Sequence, residues 1–81
     1  MERINTIEEL KKRGLRGVEV SILLNGGFRS SKYIRYFPED NTFEVIHYID
    51  GSEEYLTESE IMDEKNTNIG KALRLGSMVV N

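Results

Sequence analysis

Apolar residues recur at every second position in one segment of the chain. Each even position from Val18 to Leu24 is apolar, which is the pattern of a strand with one buried face. Further strand-like runs cover residues 28–37, 42–49 and 53–57. The segments between the runs have turn composition: Asn-Gly-Gly at 25–27, Pro-Glu-Asp-Asn at 38–41 and Asp-Gly at 50–51. The pattern predicts four antiparallel strands in meander order.

The lengths of these turns predict a pairing register. Loops of three, four and two residues place Leu24 opposite Phe28, Phe37 opposite Thr42, and Ile49 opposite Ser52. Residues directly opposite each other point to the same face of a sheet. One face then carries a row of apolar residues, namely Val18, Ile34, Val45 and Leu56. We predict that this face is buried.

A capping box predicts a short helix before the first strand. Thr6 and Glu9 have the required spacing, and the helix is expected over residues 7–13. Gly14 is expected to take the left-handed position at its end.

Two further helices and a fifth strand are predicted after the meander. A second capping box at 57–60 opens one or two helical turns that end at Met62, and Asn68 is expected to cap a helix over 69–75. The last apolar run, residues 77–80, predicts a strand beside the first strand of the meander.

One segment resembles a known family of folds. The run from Tyr48 to Ile61 contains a strand, an Asp-Gly turn, a second strand, a leucine and a short helical turn. This order is similar to the last hairpin of small SH3-like and Tudor-like barrels. The resemblance implies a barrel and carries no functional residue across, since no aromatic cage can be mapped and the chain lacks Trp.

The fold class that follows is α+β and mainly β. We predict a four-stranded antiparallel meander that forms a partly closed SH3-like small barrel. A fifth C-terminal strand and short N-terminal and C-terminal helices complete it. The alternative is an open antiparallel sheet with helices on one face.

Length and composition narrow the class of protein. A chain of 81 residues corresponds to a single small domain, 1–81, and its 38% of hydrophobic residues is enough for a small core. The absence of Cys excludes disulfides and thiolate zinc sites. No apolar stretch is long enough for a transmembrane helix or a signal peptide. We therefore expect a cytoplasmic protein with no membrane partner.

The net charge of -3 conceals three blocks of opposite sign. Residues 1–37 carry a net charge of +4, residues 38–64 carry -10, and residues 65–81 carry +3. Such blocks can pair within one molecule, between two molecules, or with a charged partner. Pairing within the molecule on a solvated surface is the simpler interpretation.

Motifs of catalysis and cofactor binding are lacking. The chain has one His, no Cys and no phosphate-binding loop, because its Asn-Gly-Gly segment lacks the required spacing and Lys-Ser/Thr pair. No calcium-loop pattern of alternating Asp and Asn occurs either. We expect a protein that is not an enzyme and that binds no cofactor and no metal.

The second face of the predicted sheet is the candidate binding surface. It carries aromatic and basic side chains, namely Tyr33, Tyr48, Tyr55, Arg29 and Arg35. Such residues suit a protein interface, and the expected partner is another protein or a second copy of the chain. One alternative is that helices cover the tyrosines. Another is that the tyrosine rings stack on the bases of a nucleic acid. The acidic segment that follows in the sequence argues against a nucleic-acid partner. Proteins bind nucleic acid largely by neutralising its phosphates with basic side chains, which this segment lacks.

A polar row lies on the face assigned to the core. The register aligns Lys32, His47 and Glu54 with Val20. These groups can stabilise the sheet as cross-strand pairs, or form a ligand or proton-transfer site centred on His47. The structural interpretation is the favoured one, since a long Lys can extend its ammonium to water.

Overall fold

The computed structural model describes residues 2–23, 27 and 29–81. The strands are β1 (Arg3–Ile4), β2 (Val18–Leu23), β3 (Arg29–Phe37), β4 (Thr42–His47), β5 (Glu53–Thr57) and β6 (Met78–Val80). The helices are α1 (Ile7–Gly14), α2 (Glu58–Met62) and α3 (Ile69–Leu75). The strands form one antiparallel sheet in the order β1-β6-β2-β3-β4-β5. The protein is thus a small α+β fold dominated by its sheet.

The predicted register is confirmed for the first three strands of the meander. Val18 lies opposite Ile34, and Ile34 lies opposite Val45. The four-residue turn at 38–41 is present, because Phe37 pairs with Thr42. The predicted pair of Leu24 with Phe28, and two of the three residues of the first turn, lie outside the described residues.

The predicted register between β4 and β5 is wrong by two residues. Leu56 lies opposite Phe43 instead of Val45, and Glu54 takes the place opposite Val45. A shift of two residues keeps every side chain on its face, because side chains alternate with a period of two. Leu56 therefore remains buried as predicted.

A longer loop than expected causes this shift. His47 donates its N–H to the carbonyl of Ser52 at 2.8 Å, so the loop holds residues 48–51 rather than 50–51. The Asp50 carboxylate accepts from the Ser52 N–H at 2.9 Å. Gly51 has a φ of 73°, but Asp50 has no positive φ, whereas the common two-residue Asp-Gly turn needs positive φ at both residues, so the predicted turn is not formed.

Both ends of the chain join the sheet beside β2. The predicted C-terminal strand is confirmed as β6, which pairs with β2 through Ser21 and Val79. The short strand β1 was not predicted, and it pairs with β6 through Ile4 and Met78. The sheet therefore extends two strands beyond the first strand of the meander.

Helix α1 begins as predicted and ends differently. Its cap is formed, because the Thr6 hydroxyl accepts from the Glu9 N–H at 3.1 Å. Gly14 is the last helical residue and does not take the left-handed conformation, which falls at Gly17 with a φ of 80°. A Cβ at Gly14 would lie 3.1 Å from Tyr36, so this glycine permits close packing of α1 on β3.

The C-terminal helices have the predicted positions. The capping box of α2 is complete, with Thr57 and Glu60 each bonding the backbone of the other. Asn68 precedes α3 but its side chain makes no cap bond, and the Thr67 hydroxyl instead accepts from the Ile69 N–H at 3.1 Å. Gly76 ends α3 in the left-handed conformation, with a φ of 68°.

The core lies between one face of the sheet and the three helices. Its members are Ile4, Leu10, Val18, Val20, Ile22, Ile34, Phe43, Val45, Leu56, Ile61, Ile69, Ala72, Leu73 and Met78. The sheet is open, with β1 and β5 at its edges, so the predicted partial closure into an SH3-like barrel is absent. Because helices cover the apolar face, its burial does not require the sheet to curl over itself. The alternative prediction, an open sheet with helices on one face, describes the structure.

Val45 provides a test of the face assignment. It is fully buried at the centre of the sheet. Val45→Ala should lower the free energy of unfolding by about 1–3 kcal/mol, because it removes two methyl groups and leaves a cavity. Glu44→Ala, on the opposite face, should cost under about 1 kcal/mol. Chemical denaturation of both variants measures the difference, and a reversed order would contradict the assignment.

Gly51 provides a test of the loop between β4 and β5. A Cβ at this position would meet no atom within 4 Å, so only its backbone conformation resists a side chain. Gly51→Val should therefore destabilise by about 1–2 kcal/mol, whereas Gly51→Asn should cost less because Asn tolerates positive φ. Equal free energies of unfolding for the two variants would show that the left-handed conformation is unimportant here.

Candidate functional site

The face of the sheet opposite the core has no described helix against it. The buried residues of the helices belong to the core cluster or pack on its side of the sheet. Residues of β3 to β5 that point away from the core include Tyr33, Ile46 and Tyr55. We call this surface the helix-free face. The helices therefore leave the predicted binding surface uncovered.

Tyr33 and Tyr48 lie together on the helix-free face. Tyr33 is half-buried against Gly17, where a Cβ would come within 2.0 Å of its hydroxyl. Tyr48 follows β4, and its N–H donates to the carbonyl of Ser31 at 3.2 Å, which anchors it beside β3. Partial burial and the neighbouring Glu19 carboxylate raise the pKa of Tyr48, so its phenol is a neutral hydroxyl at neutral pH.

Tyr55 lies on the edge strand, separated from Tyr33 by β4. Its hydroxyl donates to the Glu44 carboxylate at 3.0 Å, and this hydrogen bond raises the pKa of Tyr55. Ile46 occupies the position between the two tyrosine sites, opposite Tyr33. The apolar part of the face is thus a patch that crosses β3, β4 and β5.

The two predicted basic residues are not neighbours. Arg35 lies opposite Glu44 in the row that contains Tyr55, and its guanidinium is 5.1 Å from the centre of the Phe37 ring. Arg29 lies at the other end of β3, about 20 Å away by strand geometry. Arg35 therefore belongs to the tyrosine-bearing surface, whereas Arg29 lies at its far end.

Ile49 is an exposed apolar residue that the sequence analysis did not select. It lies in the loop after β4 with 94% of its surface exposed, next to Tyr48 at 47%, and Tyr55 is 64% exposed. The run Tyr48-Ile49 could have indicated it, but the register prediction placed Ile49 in a strand on the core face. The longer loop is what exposes this side chain.

The polar row on the core face is formed, although not with the predicted pairing. Lys32 lies opposite His47, whereas Glu54 lies opposite Val45 and reaches His47 diagonally. Lys32 Nζ is 3.0 Å from His47 Nδ1, and His47 Nε2 is 2.6 Å from a Glu54 carboxylate oxygen. Since a lysine ammonium only donates, Nδ1 accepts and Nε2–H donates to Glu54. The imidazole of His47 therefore bridges Lys32 and Glu54 through its two ring nitrogens.

Lys32 is the most unusual member of this row. Its side chain is 4% exposed, and its ammonium also donates to the Ser30 hydroxyl at 2.9 Å. Burial lowers the pKa of Lys32, and the Glu54 carboxylate partly opposes this effect. The expectation that Lys32 extends its ammonium to water is not met, because the residue is buried and its ammonium is held by Ser30 and His47.

The charge blocks pair within the molecule at two places. Lys11 of the basic N-terminal block contacts Glu58, and Arg74 of the C-terminal block donates two hydrogen bonds of 3.0 Å to Glu64. Both acidic residues belong to the acidic middle block. These contacts support the interpretation in which the blocks pair within one chain.

Comparisons with protein family models, curated protein sequences and solved structures find no match to this chain. Across the described residues, no helix has the length and apolar character needed to cross a membrane. Within the same residues, no cluster of three or more His, Asp or Glu side chains could hold a metal ion.

The electrostatics of the polar row can be measured by titrating Lys32. Its side-chain NMR signals should titrate below the ordinary pKa of 10.5, whereas those of Lys11 should titrate above it because of Glu58. Glu54→Gln should lower the pKa of Lys32 further, because it removes a carboxylate that stabilises the ammonium.

The same shift gives stability a defined dependence on pH. Between the folded pKa of Lys32 and 10.5, the unfolded chain binds more protons than the folded protein. The contribution of Lys32 to the free energy of unfolding should therefore rise with pH across this interval. A Lys32 signal that titrates at or above that of Lys11 would contradict the burial of this ammonium.

Proposed function

We propose that the protein is a non-catalytic protein-interaction module that binds a second copy of its own chain through the helix-free face. One observation carries the proposal, namely the exposure of Tyr48, Ile49 and Tyr55 on or beside this face. Exposed tyrosines with a central aliphatic residue resemble the core of a protein interface in composition.

The charges around the patch favour a second copy as the partner. Arg35 contributes a positive charge to the face, and Glu19 and Glu53 contribute negative charges. A two-fold symmetric contact uses the same patch on both subunits, so the patch must contain both members of each complementary pair. A face with both signs around an apolar centre meets this requirement.

The size of the domain also favours such a contact. A standard interface buries about 800 Å² on each partner, which is roughly a sixth of the 5077 Å² accessible surface. A small domain buries a modest fraction of its surface on folding, and association adds buried apolar area. A dimer would therefore increase the stability of the fold.

Sedimentation across a concentration series tests the proposal. The wild-type protein should form a dimer whose population rises with concentration and falls moderately at high salt, because exposed charges are screened. Tyr48→Ser combined with Tyr55→Ser should raise the dissociation constant by about tenfold or more, because these side chains supply apolar contact.

Leu75→Ser is the matched control. Leu75 is 56% exposed on α3, on the opposite side of the sheet, so its replacement removes an exposed apolar side chain outside the patch. The control should leave the dissociation constant unchanged. A protein that remains monomeric into the hundreds of micromolar would overturn the proposal, as would an equal effect of the control.

A further inference from the structure

A cleft lies on the helix side of the sheet, where the polar row meets the segment between α2 and α3. Its volume is about 510 Å³, and it is open to solvent on one side. The polar side chains that line it include Lys32, His47, Glu54, Lys65, Asn66 and Lys71. The cleft is separate from the helix-free face, because the sheet lies between them.

Lys32 places a buried cation in this cleft, and the carboxylates of Glu54 and Asp50 act on it only at a distance. Its ammonium contacts the Ser30 hydroxyl and His47 Nδ1, and no carboxylate of the described residues bonds to it. The five residues outside the described part of the chain include no acidic side chain. Buried lysines are rare unless paired with an anion, because desolvation of the charge is costly. One ammonium N–H of Lys32 also has no described acceptor.

The carboxylates of the cleft are already engaged by other side chains. Glu54 accepts from His47, and Glu64 accepts both hydrogen bonds from Arg74, which lowers the pKa of the Glu64 carboxyl group. Lys65 and Lys71 line the same cleft, and neither forms an ion pair with a described residue. The cleft thus combines three lysines with two carboxylates, of which Glu64 is paired with Arg74 and Glu54 is hydrogen-bonded to His47.

We propose that this cleft binds a small oxyanion of the phosphate or carboxylate class, with Lys32 as its buried contact and Lys65 and Lys71 at its rim. An oxyanion would accept the Lys32 N–H that has no acceptor among the described residues, and it would compensate the charge of the ammonium in the interior. Lysine contacts an anion as a compact point charge, which suits the rounded shape of a phosphate group. The imidazole of His47 holds the Lys32 ammonium in position through its Nδ1 atom.

NMR titration with inorganic phosphate, and separately with acetate, tests this site. The Lys32 side-chain signals and the His47 ring signals should shift saturably with at least one anion, against sodium chloride at equal ionic strength. The pKa of Lys32 should rise in the presence of that anion, because a bound negative charge stabilises the ammonium. The anion with the lower dissociation constant indicates whether the site prefers a phosphate or a carboxylate ligand.

Variants distinguish binding at this cleft from a general electrostatic attraction of anions to the protein. Lys32→Met should weaken binding by about tenfold or more, because it removes the buried charge and retains a long side chain. Lys12→Met is the control, since Lys12 is exposed on α1 outside the cleft and its loss should change nothing. The double variant Lys65→Met and Lys71→Met changes only exposed residues and should therefore fold. It should weaken anion binding, which keeps the test valid even if the Lys32 variant folds poorly.

Three outcomes would overturn the oxyanion site. The first is the absence of saturable shifts with either anion. The second is a folded Lys32→Met variant with wild-type affinity. The third is an equal loss of affinity in Lys12→Met and in the Lys65 and Lys71 double variant.

Discussion

The structure depends on a single constraint, which is that all the described helices pack on one face of the sheet. The three helices pack on the side of Val20, Ile34 and Val45, and the described residues place none on the other side. Strand side chains alternate between faces, so this choice decides which residues from β2 to β5 point toward the helices. It buries the aliphatic positions, leaves Tyr55 in solvent, and places Lys32 inside the fold although its neighbour Tyr33 points outwards.

The pairing of β2, β3 and β4 could be predicted because two kinds of information agree. The turn at 38–41 sets the distance between Phe37 and Thr42, and the period-2 pattern excludes shifts of one residue. The pairing of β5 could not be predicted in the same way. A shift of two residues retains the face of Leu56, so the hydrophobic pattern cannot distinguish a two-residue loop from the four-residue loop at 48–51.

The candidate sites were predictable to the extent that they depend on alternation within strands. Tyr33 and Tyr55 were assigned to the correct face, and Lys32, His47 and Glu54 were assigned to one polar row. The cleft beside that row was not predictable, because it is completed by segment 64–71, which is distant from β3 in sequence. Strand β1 was not predicted, because two residues are too few to show the alternation of apolar and polar positions that marks a strand.

The two proposed sites are chemically independent but share one backbone. Lys32 and Tyr33 are adjacent on β3, and His47 and Tyr48 are adjacent at the end of β4, yet each pair divides between opposite faces. A substitution at one member therefore leaves the other site in place. A one-residue slip of β4 against β3 would instead move His47 to the helix-free face and Ile46 toward the core. Because the turn at 38–41 and the period-2 pattern together exclude that slip, both surfaces depend on the pairing of β3 with β4.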